Sequence, residues 1–162
     1  MTKPVGKSHF ISTGVVAENR RARFNYAIGE TFEAGLALTG AEVKSLRYGR
    51  ANISDGYAVP DAKGFAVHNI SIGKADGENP FEKRTEKRAR RLLLHAKEIS
   101  RLIGTYTQNR VTIVPLRLYF NNRGVAKLLL GVGTGKQKVD KRRTIREREW
   151  QRDKARLMKI KR

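Results

Sequence analysis

FNYAIGETFEAGLAL, residues 24–38, decides how the chain folds. Its even positions read Phe24, Tyr26, Ile28, Glu30, Phe32, Ala34, Leu36 and Leu38, while the odd ones are mostly small or polar. A period of two sends alternate side chains to opposite faces, so the stretch predicts a long strand with one face buried and one free. Glu30 and the glycines Gly29 and Gly35 are the bulge or bend points expected of a curved strand.

Downstream, Gly40 ends the alternation. In AEVKSLRYGR (41–50), Val43 and Leu46 stand three apart and Lys44 and Arg47 three apart on another side, which predicts a short helix presenting cations. Residues 57–72 read as a hairpin about the turn residues Pro60 to Gly64, with Tyr57, Val59, Phe65 and Val67 inward. GKADGENPFEKRTEKRARR (73–91) is polar and turn-rich and predicts a long exposed loop. AKEISRLIGTYTQN (96–109) places Ile99, Leu102, Ile103 and Tyr106 at the i, i+3, i+4, i+7 spacing of an amphipathic helix. Val111 and Ile113 open a strand whose alternation changes phase near Pro115 to Leu116, Leu118 and Phe120. Asn121 to Gly124 then turn the chain into Ala126, Leu128, Leu130 and Val132, a hairpin with an edge or bulge at the proline. Alternating strands with two or three helices between them predict a mainly β fold, a small antiparallel barrel with peripheral helices.

The chain has 162 residues, enough for one ordinary core plus appendages, with 35 Lys/Arg against 15 Asp/Glu and a net charge of +20. Such an excess concentrates anions around the protein, and nucleic acid is the favoured partner. A membrane is not expected, because no apolar stretch approaches the length of a span. With no cysteine there are no disulfides, thiolate metal sites or Cys nucleophile, as suits a reducing cytoplasm. The N-terminal stretch lacks the apolar centre of a secretory signal and reads as a loose basic leader ending in Arg20, Arg21 and Arg23.

The last 27 residues, KQKVDKRRTIREREWQRDKARLMKIKR, hold 13 Lys/Arg against 4 Asp/Glu, without glycine or proline. Thr144 and Glu147 match a T-x-x-E capping box, so a helix is permitted. Trp150 and Leu157 align on a 3.6-residue period, a stripe too narrow to make a core, so the arm is expected to be disordered alone and to fold on a polyanion.

Chemistry is scarce. His9, His68 and His95 lack metal-ligand spacing, and no metal or cofactor is expected. GVGTGKQ (131–137) lacks the first glycine and the hydroxyl of a phosphate loop, and reads as a flexible exit from the barrel. Glu30, Glu33 and Glu42 could be imagined as an acid/base pair, but carboxylates on a basic surface are more often ion-pair partners or acceptors for nucleotide groups.

NRRARFNYAIGETFEAGLALTGAEVKSLRYGRANISDGY, residues 19–57, resembles small protein B, the family of SsrA-binding proteins of bacteria. The likeness continues through RRLLLHAKEISRLIG, VPLRLYF and GKQKVDKRRTIREREWQRDKARLMK, in that order. The resemblance implies an oligonucleotide-binding (OB)-like barrel over residues 19–135, a flexible leader over 1–18 and a basic tail over 136–162 that folds on the ribosome. It implies a non-enzymatic cofactor protein for transfer-messenger RNA, whose tRNA-like domain the body grips. The RNA face it implies comprises Asn19, Arg20, Arg21, Arg23, Glu33, Lys44, Arg47, Leu93 and Lys127. For the decoding site and vacant mRNA channel it implies Gly135, Lys136, Asp140, Lys141, Arg142, Trp150, Leu157 and Met158. Val139 departs from the family pattern, standing where many relatives carry a stacking His or aromatic residue, and Thr134 stands where a relative carries a lysine. The implied partners are the transfer-messenger RNA, the 70S ribosome with its small-subunit rRNA and, indirectly, elongation factor Tu with GTP and alanyl-tRNA synthetase. The competing interpretation is a general basic RNA-binding or ribosome-associated structural protein.

Overall fold

A computed structural model of the chain describes residues 10–79, 81, 85–108, 110–136 and 138–160, except the side chains of Lys138, Val139 and Ile160. The first nine residues, with His9, and the side chain of Val139 therefore lie outside the described residues.

The decisive stretch forms β2 (Tyr26–Leu36), preceded by β1 (Gly14–Glu18) and the single-turn helix α1 (Ala22–Asn25). Phe32, Ala34 and Leu36 are buried, and Thr31 and Glu33 on either side of Phe32 are exposed. The expected bulge falls between Ile28 and Thr31, where the register against the last strand shifts. Helix α2 (Gly40–Arg47) starts at a capping box: Glu42 N–H donates to the Thr39 hydroxyl at 3.3 Å and Thr39 N–H to the Glu42 carboxylate at 3.0 Å.

The order continues through β3 (Ala51–Asn52), β4 (Tyr57–Asp61), β5 (Gly64–His68), β6 (Ser71–Ile72), β7 (Arg90–Leu93), α3 (Ala96–Gln108), β8 (Thr112–Phe120), β9 (Ala126–Gly135) and α4 (Lys138–Ile160). The antiparallel pairings β8–β4–β5–β7–β2–β9 return to β8 and close an OB-like ring of strands. β8 can serve three neighbours because its first half pairs with β4 at Ile113 and Ala58, and its second half with β1. Its register against β9 shifts between Pro115 and Arg117, the bulge expected at the proline. Leu46 of α2 and Leu102 of α3 are wholly buried against the core inside the ring.

Four expectations need correction. In the hairpin, Ala58 is buried and Tyr57 is 42% exposed, so β4 has the opposite parity. Small Ala58 fits between β5 and β8, and Tyr57 turns outward to stack on His68 with ring centroids 5.6 Å apart. The leader is shorter than 18 residues, because β1 pairs with β8 and Ile11 N–H donates to Arg47 C=O at 2.7 Å. Gly131 and Gly133 are buried within β9, not in a flexible exit: a Cβ on Gly131 would lie 2.9 Å from Leu116 Cδ1, and one on Gly133 3.0 Å from Ile28 Cδ1. The glycines make room for a second apolar cluster of Ala22, Val114 and Leu116 with Tyr26, Ile28 and Leu129, which seats α1. The helix that the arm permits is present as a 23-residue helix, built from Arg, Lys, Glu and Ala, which favour helix, with Asp140 in its first turn and Lys159 in its last to suit the helix dipole. Thr144 is no cap; its hydroxyl donates to Asp140 C=O at 3.0 Å, one turn back.

Candidate nucleic-acid interface

Alternation on three adjacent strands brings Glu33, Leu93 and Lys127 to one outward face. Leu93 of β7 pairs in register with Gly35 of β2, Gly35 with Lys127 of β9, Lys127 with Tyr119 of β8, and Tyr119 with Val15 of β1. At about 4.8 Å per strand this transverse row is about 19 Å long. Leu93 is 51% exposed, while its neighbour Leu92 enters the core at 2%, so Leu93 is not a packing residue. Gly35, with no side chain, lets the Leu93 side chain lie over it, since a Cβ there would meet Leu93 Cβ at 3.2 Å. Beside the row opens a groove of about 590 Å³, lined among others by Glu33, Val43, Leu93, His95, Val125 and Lys127. Lys44 is exposed on α2, whose Val43 lines the same groove.

Arg47 differs from the other cations. Its guanidinium donates to Ile11, Ser12 and Gly124 carbonyls and lies 3.8 Å from the Phe120 ring centroid, so it clamps the N-terminal segment to the β8–β9 turn. Asn19 is also committed inward: it is 5% exposed, its amide donates to Pro115 C=O at 3.0 Å, and its side-chain oxygen accepts from Ala22 N–H at 3.1 Å. It moors α1 to the β8 bulge, leaving exposed Arg20, Arg21 and Arg23 as the cations there.

These arginines are not beside Glu33. Glu33 lies seven residues along β2 from Tyr26, about 23 Å at 3.3 Å per residue, and α1 lies beyond Tyr26. They adjoin the root of the arm. Tyr26 pairs with Gly135, Lys136 N–H donates to Asn25 C=O at 2.9 Å, and Lys136 Nζ donates to Arg23 C=O at 3.0 Å. Along α4, Asp140 and Arg142 are exposed and Lys141 half-buried. Arg148 approaches the Phe24 ring at 5.8 Å, while Trp150, Leu157 and Met158 are 62%, 65% and 66% exposed. The expected sites thus form two groups: a face on β7, β2 and β9, and a cationic root and helix at the other end of β2 and β9.

The three glutamates are all acceptors. Glu30 pairs with Arg101 and Glu42 with Arg88 and Arg90. Glu33 accepts from the Tyr119 hydroxyl. Tyr119 was missed because LRLYF shows only that it alternates with buried Leu118 and Phe120; its partner is 86 residues away. Arg90, 1% exposed, was missed as well, since its charge reads as loop surface. The signal that would have found its partner is T-x-x-E at Thr39 and Glu42, which fixes that carboxylate at a helix start.

A family model described as SmpB protein matches residues 16–160. The chain is 55% identical over 159 residues to an SsrA-binding protein of Maricaulis maris, covering 98% of each chain, and 53% identical over 147 residues to one of Methylorubrum populi, covering 91% and 93%. A solved chain described under "tmRNA-SmpB: a journey to the center of the bacterial ribosome" superposes with a TM-score of 0.63 at 42% identity, over 78% of this chain and 86% of the other. With the motif order, the ring of strands and a match spanning body and arm, the chain belongs to the SmpB family.

Proposed function

We propose that this chain binds the tRNA-like domain of transfer-messenger RNA and brings it to stalled bacterial ribosomes for trans-translation, in the cytoplasm and without catalysing a reaction itself. The body, residues 19–135 extended by β1, grips the RNA through Glu33, Leu93 and Lys127 with Lys44 beside them. The arm occupies the decoding site and the vacant mRNA channel, where Lys136, Asp140, Lys141 and Arg142 lie near the decoding nucleotides and Trp150, Leu157 and Met158 further along. The aminoacylated RNA would arrive with elongation factor Tu and GTP after charging by alanyl-tRNA synthetase.

The carrying observation is the separation of the two groups on a chain of this family. A shaped face with one acid, one leucine and one lysine suits recognition of a folded RNA, whereas an exposed cationic helix rooted about 23 Å away suits a phosphate-lined channel. An occupying mRNA would exclude that helix, which restricts entry to ribosomes lacking message.

Equilibrium binding to the tRNA-like domain, to an ordinary tRNA and to an unrelated hairpin, repeated at rising salt, tests the body. The expected result is a preference for the tRNA-like domain that persists as salt rises, because nonspecific phosphate contacts fade faster than shape recognition. Equal affinities that fall together would make this a general basic RNA-binding protein.

A further inference from the structure

We propose that Tyr119 is a positioning residue of the RNA face, holding the Glu33 carboxylate as a fixed acceptor for a hydrogen-bond donor of the RNA, a 2′-hydroxyl or a base amine. The inference rests on the reading of this face as the RNA-binding one.

Glu33 is on β2 and Tyr119 on β8, and β9 runs between them. On β9, Lys127 pairs with Tyr119 and Leu129 with Glu33, so the Tyr119 hydroxyl crosses the intervening strand to donate to the carboxylate. Glu18 and Glu30 are taken by arginines, whereas among the described residues Glu33, like Asp55 and Asp61, has no ion pair within 4.0 Å, and what sets it apart is that its carboxylate accepts from a neutral side-chain hydroxyl.

A neutral donor does something an arginine would not. It uses one lone-pair site and leaves the rest of the carboxylate open and still charged. A carboxylate facing RNA is repelled by phosphate, so it favours binding only when it meets a donor, and it meets one best when already aimed. Tyrosine suits the task because its ring is rigid and fixes the hydroxyl with few rotamers lost. Lys127, in register beside the ring, then supplies the phosphate contact next to the fixed acceptor.

The experiment measures affinity of the full chain for the labelled tRNA-like domain with Tyr119→Phe, Glu33→Ala and the pair, at three salt concentrations. Phe retains the ring, so a thermal melt close to that of the parent accompanies the result. The expected outcome is a loss of about tenfold for Y119F, of the order of one hydrogen bond to a charged group, with an unchanged salt slope. E33A should lose at least as much, and the double variant no more than E33A, because the hydroxyl acts through the carboxylate. Additive losses, or unchanged affinity of Y119F while E33A binds weakly, would overturn the role of Tyr119 and leave the RNA face standing. Unchanged affinity of E33A would remove the face and this role together. Single deoxynucleotide substitutions separate the two donors: disappearance of the Tyr119 effect at one position assigns a 2′-hydroxyl, its persistence throughout assigns a base amine, and either fits the proposal.

Discussion

The Arg90 guanidinium and the Glu42 carboxylate meet at 2.9 Å with 1% and 0% of their side chains exposed. Arg90 also donates to the carbonyls of Ile70, Arg88 and Glu86 at 2.9, 3.0 and 2.8 Å, while Arg88 adds a 2.6 Å pair to the other Glu42 oxygen. The pair therefore ties α2 to β7 and to the chain on either side of the 73–89 segment, and makes the end of that segment part of the body. Glu42→Gln would leave a buried guanidinium without its counter-charge, a loss of about 3–5 kcal/mol. Urea denaturation should show that fall in midpoint, and Glu33→Gln, on the surface, should show almost none.

The same carboxylate predicts acid sensitivity. Burial alone would raise its pKa, but hydrogen bonds from Arg88, Thr39 N–H and Arg90 with the Arg90 charge outweigh it and lower the pKa from 4.5 to about 2. A group lowered on folding contributes its full stability above its unfolded pKa and loses it as pH falls through the folded one. Stability should therefore decline between about pH 4.5 and 2, by about 3 kcal/mol from this group. Melts across that window compared with Glu42→Gln check it, since the variant should have a flatter profile there.

Arg47 is expected to act as a clamp and not as a phosphate contact. Arg47→Ala removes three bonds to backbone carbonyls and the approach to Phe120, which should cost about 2–4 kcal/mol of stability. Arg47→Lys should recover little, because an ammonium cannot span three carbonyls with a planar fork. For RNA binding, the salt slope of either variant should match the parent, whereas loss of a true phosphate contact lowers it by about one.

The parts of this architecture legible in the sequence are those written as burial periods. β2, α3 and the β8–β9 pair follow the spacing of Phe32 to Leu36, of Ile99, Leu102 and Tyr106, and of Leu116 to Val132, because burial on one face imposes that spacing, while Ile103 falls outside the buried face of α3 at 40% exposed. Parity failed at β4, where small Ala58 carries little hydrophobic signal beside Tyr57 and Val59, and neighbouring strands decide which turns inward. In the arm, Asp140 near its start and the absence of glycine and proline are helix signals, whereas the Thr144 cap signal misled because the helix already begins at Lys138. Glu33, Leu93 and Lys127 were identified by family motif, but their meeting depends on strand order, as does the burial of Arg90 by Glu42, 48 residues away. Local spacing carries no information about such distant pairing.

Gly131 should tolerate no side chain. A Cβ there would lie 2.9 Å from Leu116 Cδ1 and 3.0 Å from Ile28 Cγ2, and both side chains are packed in the cluster under α1. Gly131→Ala is expected to cost about 1–3 kcal/mol by overpacking. Gly135→Ala, with nothing within 4 Å of the added carbon, should be nearly silent, and the contrast between the two thermal melts is the check.

Removing residues 137–162 should separate recognition from acceptance on the ribosome. The cut falls after Lys136 because its backbone amide and ammonium are bonded to Asn25 and Arg23 of the body. Beyond it, α4 makes a ring contact to the body at Phe24 through Arg148, and it buries none of its described side chains fully. The truncated body should melt within a degree or two of the full chain and keep its preference for the tRNA-like domain, while peptide tagging on stalled ribosomes is lost. The freed helix should be marginal, since helices lacking tertiary packing depend on propensity, and 13 Lys/Arg against 4 Asp/Glu in residues 136–162 repel one another. Circular dichroism of a 137–162 peptide should then show weak helicity at low salt that rises on adding a polyanion, because neutralised side chains no longer oppose the helix. Charge reversal of Lys141 and Arg142 should reduce tagging more than Trp150→Ala if phosphate contact near the decoding site governs entry. The reverse order would assign the limiting step to docking of the exposed Trp150, Leu157 and Met158 stripe, and full tagging by the truncated chain would reduce the protein to an RNA stabiliser.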